Sequence, residues 1–316
     1  MTDYLKLLSL IAPVFLVIAC GSGMRAAKWI RPEADASLMN LLLKLCYPCL
    51  VFKSVLGVEA VKSFDNIVGP PIFGCLAVLS GFGIGLLAAK ALGYKKGAGL
   101  RTFCFSIGIC NYGYIPLPLI QGIYGSDTLA VLFVHNTGVE FAIWTIGVAL
   151  LSGASAKEGL KKSVNPCSLA LVLALGMNAT GFDGYVPEIV MSVFSTLAAV
   201  SIPLGLVMIG TGIWDNLETK EPLWKFRSSI GSVVIRLGVL PMILLMAAKW
   251  IPLSQELKEV VVIQAAMPAG VMPILIAKHY GGQPIVAVRI VIATTVVSLF
   301  LIPFWISFGE SWLGLR

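Results

Sequence analysis

The stretch YLKLLSLIAPVFLVIAC at 4–20 opens a series of apolar runs that fill the chain almost from end to end. Crossing a bilayer core of roughly 30 Å takes about 20 helical residues, since each adds only 1.5 Å along the axis. Ten runs are legible, at 5–23, 38–57, 67–92, 100–124, 128–152, 166–181, 189–213, 228–250, 260–280 and 285–308, the sixth being the shortest. They are continuous and about twice as long as the strands of a membrane barrel, so an all-α integral membrane protein is expected. Only 12% of the 316 residues are charged, against roughly 25% in a soluble domain, and the mean hydropathy is +0.91. The first run leads through Pro32 into another run and not to a small-residue cleavage site, so it reads as a span, not a signal peptide.

The formal charge of +7 does not point to nucleic acid, because the basic residues sit in short connections between runs. Fifteen lie in the connections after runs one, three, five and seven and between runs nine and ten, including Arg25, Lys28, Lys95, Lys96, Lys157 and Lys220. The opposite side has five: Lys6, Lys62, Lys249, Lys258 and Arg316. The richer side is expected in the cytoplasm, which places the chain in the cell membrane with both termini on the non-cytoplasmic side. The seven cysteines lie in or beside apolar runs. Cys46 and Cys49 read as small packing residues, because a zinc site takes about four ligands and no His or Asp stands near them. No cofactor is expected.

Landmarks recur at about half the chain length. Pro32-Glu33 and Pro187-Glu188 are 155 apart, as are Pro48 and Pro203; Gly113 and Gly270, and Pro116 and Pro273, are 157 apart. Each unit, 1–158 and 159–316, then holds five runs. An odd number sends the second unit into the membrane from the opposite face, giving a 5+5 inverted repeat of the kind found in secondary transporters.

The stretch CNYGYIPLPLIQGIYG at 110–125 breaks run four near its middle, and QAAMPAGVMPILIAKHYG at 264–281 does the same in run nine. Proline lacks an N–H and clashes with the carbonyl four residues back, so Pro116 is expected to release the carbonyl of Tyr112, Pro268 that of Gln264 and Pro273 that of Ala269. Free backbone groups at that depth are tolerated only inside protein or beside a wet cavity. The two breaks are expected to cross, with the N-terminal ends of the second half-helices offering positive charge to a small organic anion. The candidate substrate residues are Asn111, Gly113, Pro116, Gln264, Pro268, Gly270 and Pro273.

These residues, with Pro48, WTIGV at 144–148 and IPLGLVMIGTGI at 202–213, resemble the auxin efflux carrier family, which includes plant PIN-formed exporters and bacterial permeases for malate, malonate and other carboxylates. The resemblance covers nearly the whole chain. It implies a ten-helix inverted repeat similar to bile-acid and sodium–proton transporters, with spans four and nine crossing at their prolines. It also implies a scaffold of spans one, two, six and seven that often forms a homodimer, a mobile transport unit from the other spans, and substrate beside Asn111. The long central hydrophilic loop of many plant members is missing here, which favours a small organic anion over auxin itself, a carboxylate such as malate, malonate or an auxin-like acid being expected.

Glu140 lies about twelve residues from either end of run five, roughly 18 Å from each interface, too far for a short side chain to reach water. Asn136 and Trp144 fall on the same helix face, and His135 points about 140° away. Two readings of this cluster stand: Glu140 or His135 carries a coupling proton, or the group is a hydrogen-bonded packing cluster. Arg236, about eight residues into run eight, is read as snorkelling, balancing Glu140 or attracting the anion. Uptake against an inside-negative potential would need H+ or Na+, whereas export needs neither. An intramembrane enzyme is not expected, as H-E-x-x-H is absent and His135 and His279 are far apart. A membrane-embedded ligand sensor and a sodium-coupled organic anion symporter remain as alternatives.

Overall fold

The computed structural model describes residues 4–95, 97–152, 164–217 and 224–315. The junction expected between the two units, near 158, and the basic residues Lys96, Lys157, Lys161, Lys162, Lys220 and Arg316 lie outside them.

The described chain is all helical. Seven helices are long and apolar enough to cross a membrane: α1 (Tyr4–Ala26), α2 (Pro32–Val55), α3 (Phe64–Ala91), α6 (Ser126–Leu151), α8 (Glu188–Leu217), α9 (Phe226–Trp250) and α12 (Pro284–Leu313). A shorter apolar helix, α7 (Pro166–Thr180), stands where the sixth run was expected. At runs four and nine the chain forms helix pairs: α4 (Ala98–Gly108) with α5 (Pro116–Ile123), and α10 (Gln255–Ala266) with α11 (Met272–His279). Both interruptions fall where the prolines and glycines predicted them.

Local chemistry accounts for the ends. Asn165 caps α7 by accepting from the N–H groups of Cys167 and Ser168, Pro166 takes the first helical position, and Gly181 ends the helix at φ 73°. Ser254 caps α10 in the same manner. Pro116 and Pro284 each open a helix, where the missing N–H costs nothing.

Two groups of helices pack together. In one, α1 lies along α8 and α2 lies against α7 and α8. The backbones of α1 and α8 come so close that a Cβ on Gly210 would stand 2.0 Å from the carbonyl oxygen of Ile18, the small-residue contact by which membrane helices associate. In the other group, α3 packs on α6 and α4, and α12 packs on α10, α4 and α11. Burial separates centre from rim: 72% of the apolar window of α6 is buried, against 28% for α1. The outward faces carry exposed Leu16, Leu76, Leu87, Ile189 and Phe300. Apolar side chains on a rim like this are solvated by lipid tails, so the chain is a multi-pass membrane protein.

Four segments wind as π-helix: Leu42–Cys46 in α2, Ile143–Gly147 in α6, and Phe226–Ile230 and Ile235–Val239 in α9. A π-turn inserts an extra residue and re-aims the side chains around it. Tyr47, Glu140 and Arg236 stand at or beside three of these segments, and all three belong to the site described next.

Candidate functional site

The two interruptions meet each other. Between α4 and α5 the chain is extended at Ile109–Cys110, and between α10 and α11 it is extended at Met267. Cys110 and Ala269 form an isolated antiparallel bridge, in which the Asn111 N–H donates to the Pro268 carbonyl at 2.8 Å and the Gly270 N–H donates to the Ile109 carbonyl at 2.9 Å. Each break thereby supplies the partners that the other lost on leaving the helix, the accounting that backbone polar groups in a membrane require. A Cβ on Gly270 would stand 2.7 Å from the Cys110 carbonyl oxygen, so the close approach needs glycine.

The prolines act differently from expectation in one respect. Pro116 and Pro273 do not interrupt helices from within; they stand in the first turns of α5 and α11, and the unwinding precedes them. Of the carbonyls expected to be released, that of Tyr112 is taken up by side chains. Tyr112 O accepts from Asn136 Nδ2 at 2.9 Å and from Gln264 Nε2 at 3.2 Å. The Gln264 amide also reaches Asn136 Oδ1 at 3.3 Å, and the Cys110 thiol donates to Gln264 Oε1 at 3.3 Å. The Ala269 N–H donates to Thr294 Oγ1 of α12 at 3.2 Å. Side chains of α6, α10 and α12 thus hold both breaks open in one arrangement.

A cavity of about 50 Å³ lies beside this junction, walled by Tyr47 and Val51 of α2, Tyr112 of the first break, Asn136 and Glu140 of α6, and Cys167 and Ser168 of α7, among others. It sits between the two packed groups. Tyr47 is fixed by edge contacts to Tyr114 and Phe133, at 5.6 and 6.1 Å between ring centroids. Glu140 accepts from Asn165 Nδ2 at 2.9 Å, so the residue that caps α7 also holds the carboxylate of α6. Among the described residues none of the cavity's walls is basic.

A second, smaller cavity of about 20 Å³ lies behind the junction, walled by Cys110, His135, Arg236 and Gln264 with apolar neighbours. His135 faces it, away from Glu140 as the helix angle predicts, with Nδ1 3.3 Å from Asn136 Oδ1. Arg236 neither snorkels nor balances Glu140. It is 3% exposed and donates to the backbone carbonyls of Met267 (3.0 Å), Gln264 (3.3 Å) and Ile107 (3.5 Å). The π-turn in α9 turns its stem toward the junction instead of an interface.

Of the residues expected from the sequence, Gln264, His135, Asn136, Glu140 and Arg236 line a cavity, while Asn111, Pro268 and Gly270 form the backbone junction. Gly113, Pro116 and Pro273 shape the starts of the half-helices and touch neither cavity. Sequence reasoning missed Tyr47, Cys167, Ser168 and the Asn165 cap, and saw Tyr112 only as a released carbonyl. Asn165-Pro166 before an apolar run was a readable helix start, but nothing local tied it to Glu140. Lys44, Lys53 and Lys278 are exposed. Among the described residues no three His, Cys, Asp or Glu side chains gather to hold a metal.

A polytopic helical protein with two paired helix breaks beside a polar cavity belongs to the class of membrane transporters. A family profile described as Membrane transport protein matches residues 7–162 and 155–306, and the chain belongs to that family. It is 24% identical over 283 residues to an uncharacterized transporter of Methanothermobacter thermautotrophicus, covering 86% of this chain and 89% of the relative. Auxin efflux carrier component 6 of Arabidopsis thaliana is 26% identical over 180 residues, covering 57% of this chain and 30% of the carrier. Component 7 of the same plant is 27% identical over 125 residues, 40% of this chain and 20% of the carrier. The chain therefore spans under a third of the length of these plant relatives.

Proposed function

We propose that the chain is a secondary transporter that moves a small carboxylate, such as malate or malonate, across the cell membrane by alternating access. The observation that carries this reading is the pairing of the two breaks, Asn111 to Pro268 and Gly270 to Ile109, next to a polar cavity between two packed groups of helices. Backbone left unwound in mid-helix costs stability and is kept where it forms a site.

A ten-span inverted repeat gives these features one account. Tyr112 of the first break is held by Asn136, and Ala269 of the second by Thr294; 269 is 157 beyond 112 and 294 is 158 beyond 136, the period of the sequence landmarks. The group α1, α2, α7 and α8 is the scaffold, which forms the homodimer, and the rest is the transport unit. The substrate cavity lies on the boundary between them, with Tyr47, Cys167 and Ser168 on the scaffold side and Tyr112, Asn136 and Glu140 on the moving side. At about 50 Å³ the cavity has room for water but is far below the few hundred Å³ of a ligand pocket. The walls separate to admit substrate, and the Asn165–Glu140 hydrogen bond, which crosses that boundary, parts with them.

A carboxylate entering the cavity meets Glu140 and, among the described residues, no basic wall. Two carboxylates at hydrogen-bond range tolerate each other when they share a proton, so substrate and proton travel together, with Asn136 and the tyrosine hydroxyls as donors to the substrate. The test is uptake of labelled malate into proteoliposomes, with pH gradient and potential imposed separately and unlabelled carboxylates as competitors. Saturable flux driven by the pH gradient is expected. Absence of flux, with no carboxylate protecting the protein from heat, would sink the substrate assignment.

A further inference from the structure

Arg236 is a cation placed where a transported cation would otherwise bind. The carbonyls it engages lie in the last turns of the two first half-helices and just past them: Ile107 in the last turn of α4, Gln264 in the last turn of α10, and Met267 immediately after it. Helix C-terminal ends carry partial negative charge, and unwound carbonyls at paired breaks are the ligands with which transporters of this architecture hold sodium. Among the described residues no carboxylate pairs with the guanidinium. The small cavity around it is walled by Phe73, Val78, Cys110, His135, Val261 and Gln264 among others, none of them acidic, and among the described residues Arg236 has no ion pair. Its charge is met by backbone carbonyls, with the Cys110 thiol as its side-chain neighbour, closer to the environment of a bound metal ion than to that of a salt bridge. The position 157 residues earlier is Leu79, so the first half supplies no second cation.

We propose that Arg236 is a tethered substitute for a coupling sodium: it occupies the carbonyl cluster at the paired breaks permanently, holds the two first half-helices together, and leaves the chain indifferent to sodium. Two positive charges sharing so small and dry a space would repel strongly, so sodium is excluded while the guanidinium is in place. The meaning for coupling rests on the transporter reading, since it leaves the proton at Glu140 as the sole coupling ion; the occupancy of the cluster does not rest on it.

The experiment is thermal unfolding of the purified protein in sodium, potassium or choline chloride at equal ionic strength, which requires no substrate. The wild type is expected to unfold at the same temperature in all three salts, and a sodium-specific rise would overturn the proposal. Arg236→Met empties the cluster of its charge. It should unfold at a lower temperature in choline and regain at least about 3 °C in sodium; unfolding with no response to any cation would equally overturn the proposal. If the Met variant does not fold, Arg236→Lys decides: it keeps a positive charge within reach, so it should fold and stay indifferent to sodium, and a failure to fold or a gain of sodium response counts against the substitution. Loss of malate flux in the wild type, with these cation results intact, would remove the transport reading and leave the tethered cation standing.

Discussion

Asn136 is the side chain with the most riding on it. One amide donates to the Tyr112 carbonyl and accepts from Gln264, with His135 Nδ1 also within 3.3 Å. Asn136→Ala leaves several buried polar groups short of partners, at about 1–3 kcal/mol for each one left bare, so it should lower the unfolding temperature and abolish malate flux together. Glu140→Gln keeps the shape of the side chain and removes the shared proton. It should fold like the wild type, retain malate protection against heat, and lose the dependence of flux on a pH gradient; a variant that still follows the gradient would move the proton to His135. Glu140 could be singled out from the sequence because depth in a span depends only on counting residues. The partner Asn165 could not, since 25 positions and a connection separate them and only the packing of α7 on α6 brings them together.

At the level of the element, the helix breaks and the capped start of α7 each make a separate prediction. Gly270→Ala places a methyl 2.7 Å from the Cys110 carbonyl oxygen, backbone against backbone, with no flexible side chain to yield. The two breaks must part, and a loss of about 1–3 kcal/mol in stability is expected, read by thermal unfolding. Asn165 has two duties that two substitutions separate. Asn165→Ala removes the cap of α7, worth about 1 kcal/mol, along with the bond to Glu140. Asn165→Ser restores a capping oxygen on a side chain too short to reach Glu140, so it should recover stability without restoring wild-type flux. Equal flux in Ser variant and wild type would show that the bond across the boundary does not govern movement. The breaks themselves were written in Pro116, Pro273 and their glycines, because a missing N–H acts on its own helix whatever surrounds it. Their exact form was not: the prolines start the second half-helices, and the unwound residues precede them because that is where the opposite break offers hydrogen bonds.

The whole molecule is a multi-pass membrane protein with a lipid-facing rim, and the distribution of charge predicts an orientation for it. With the Lys- and Arg-rich connections held in the cytoplasm, alkaline phosphatase fused after Arg316 should be active and green fluorescent protein at the same position dark; the reverse pattern would invert the topology. What the sequence determined by itself was the class of fold, the position of the apolar runs and the location of the breaks, because hydropathy, helix length and proline all act within a few residues of where they are written. Only the tertiary structure decided which side chains share a cavity. The facing of Tyr47, Glu140 and Arg236 depends on how each helix is rotated, and π-turns in α2, α6 and α9 reset that rotation without leaving a mark in the hydropathy. Arg236 shows the difference most plainly: in the sequence it is a charge that could snorkel, balance Glu140 or attract the anion, and in the folded chain it donates to backbone carbonyls on both sides of the junction between two broken helices.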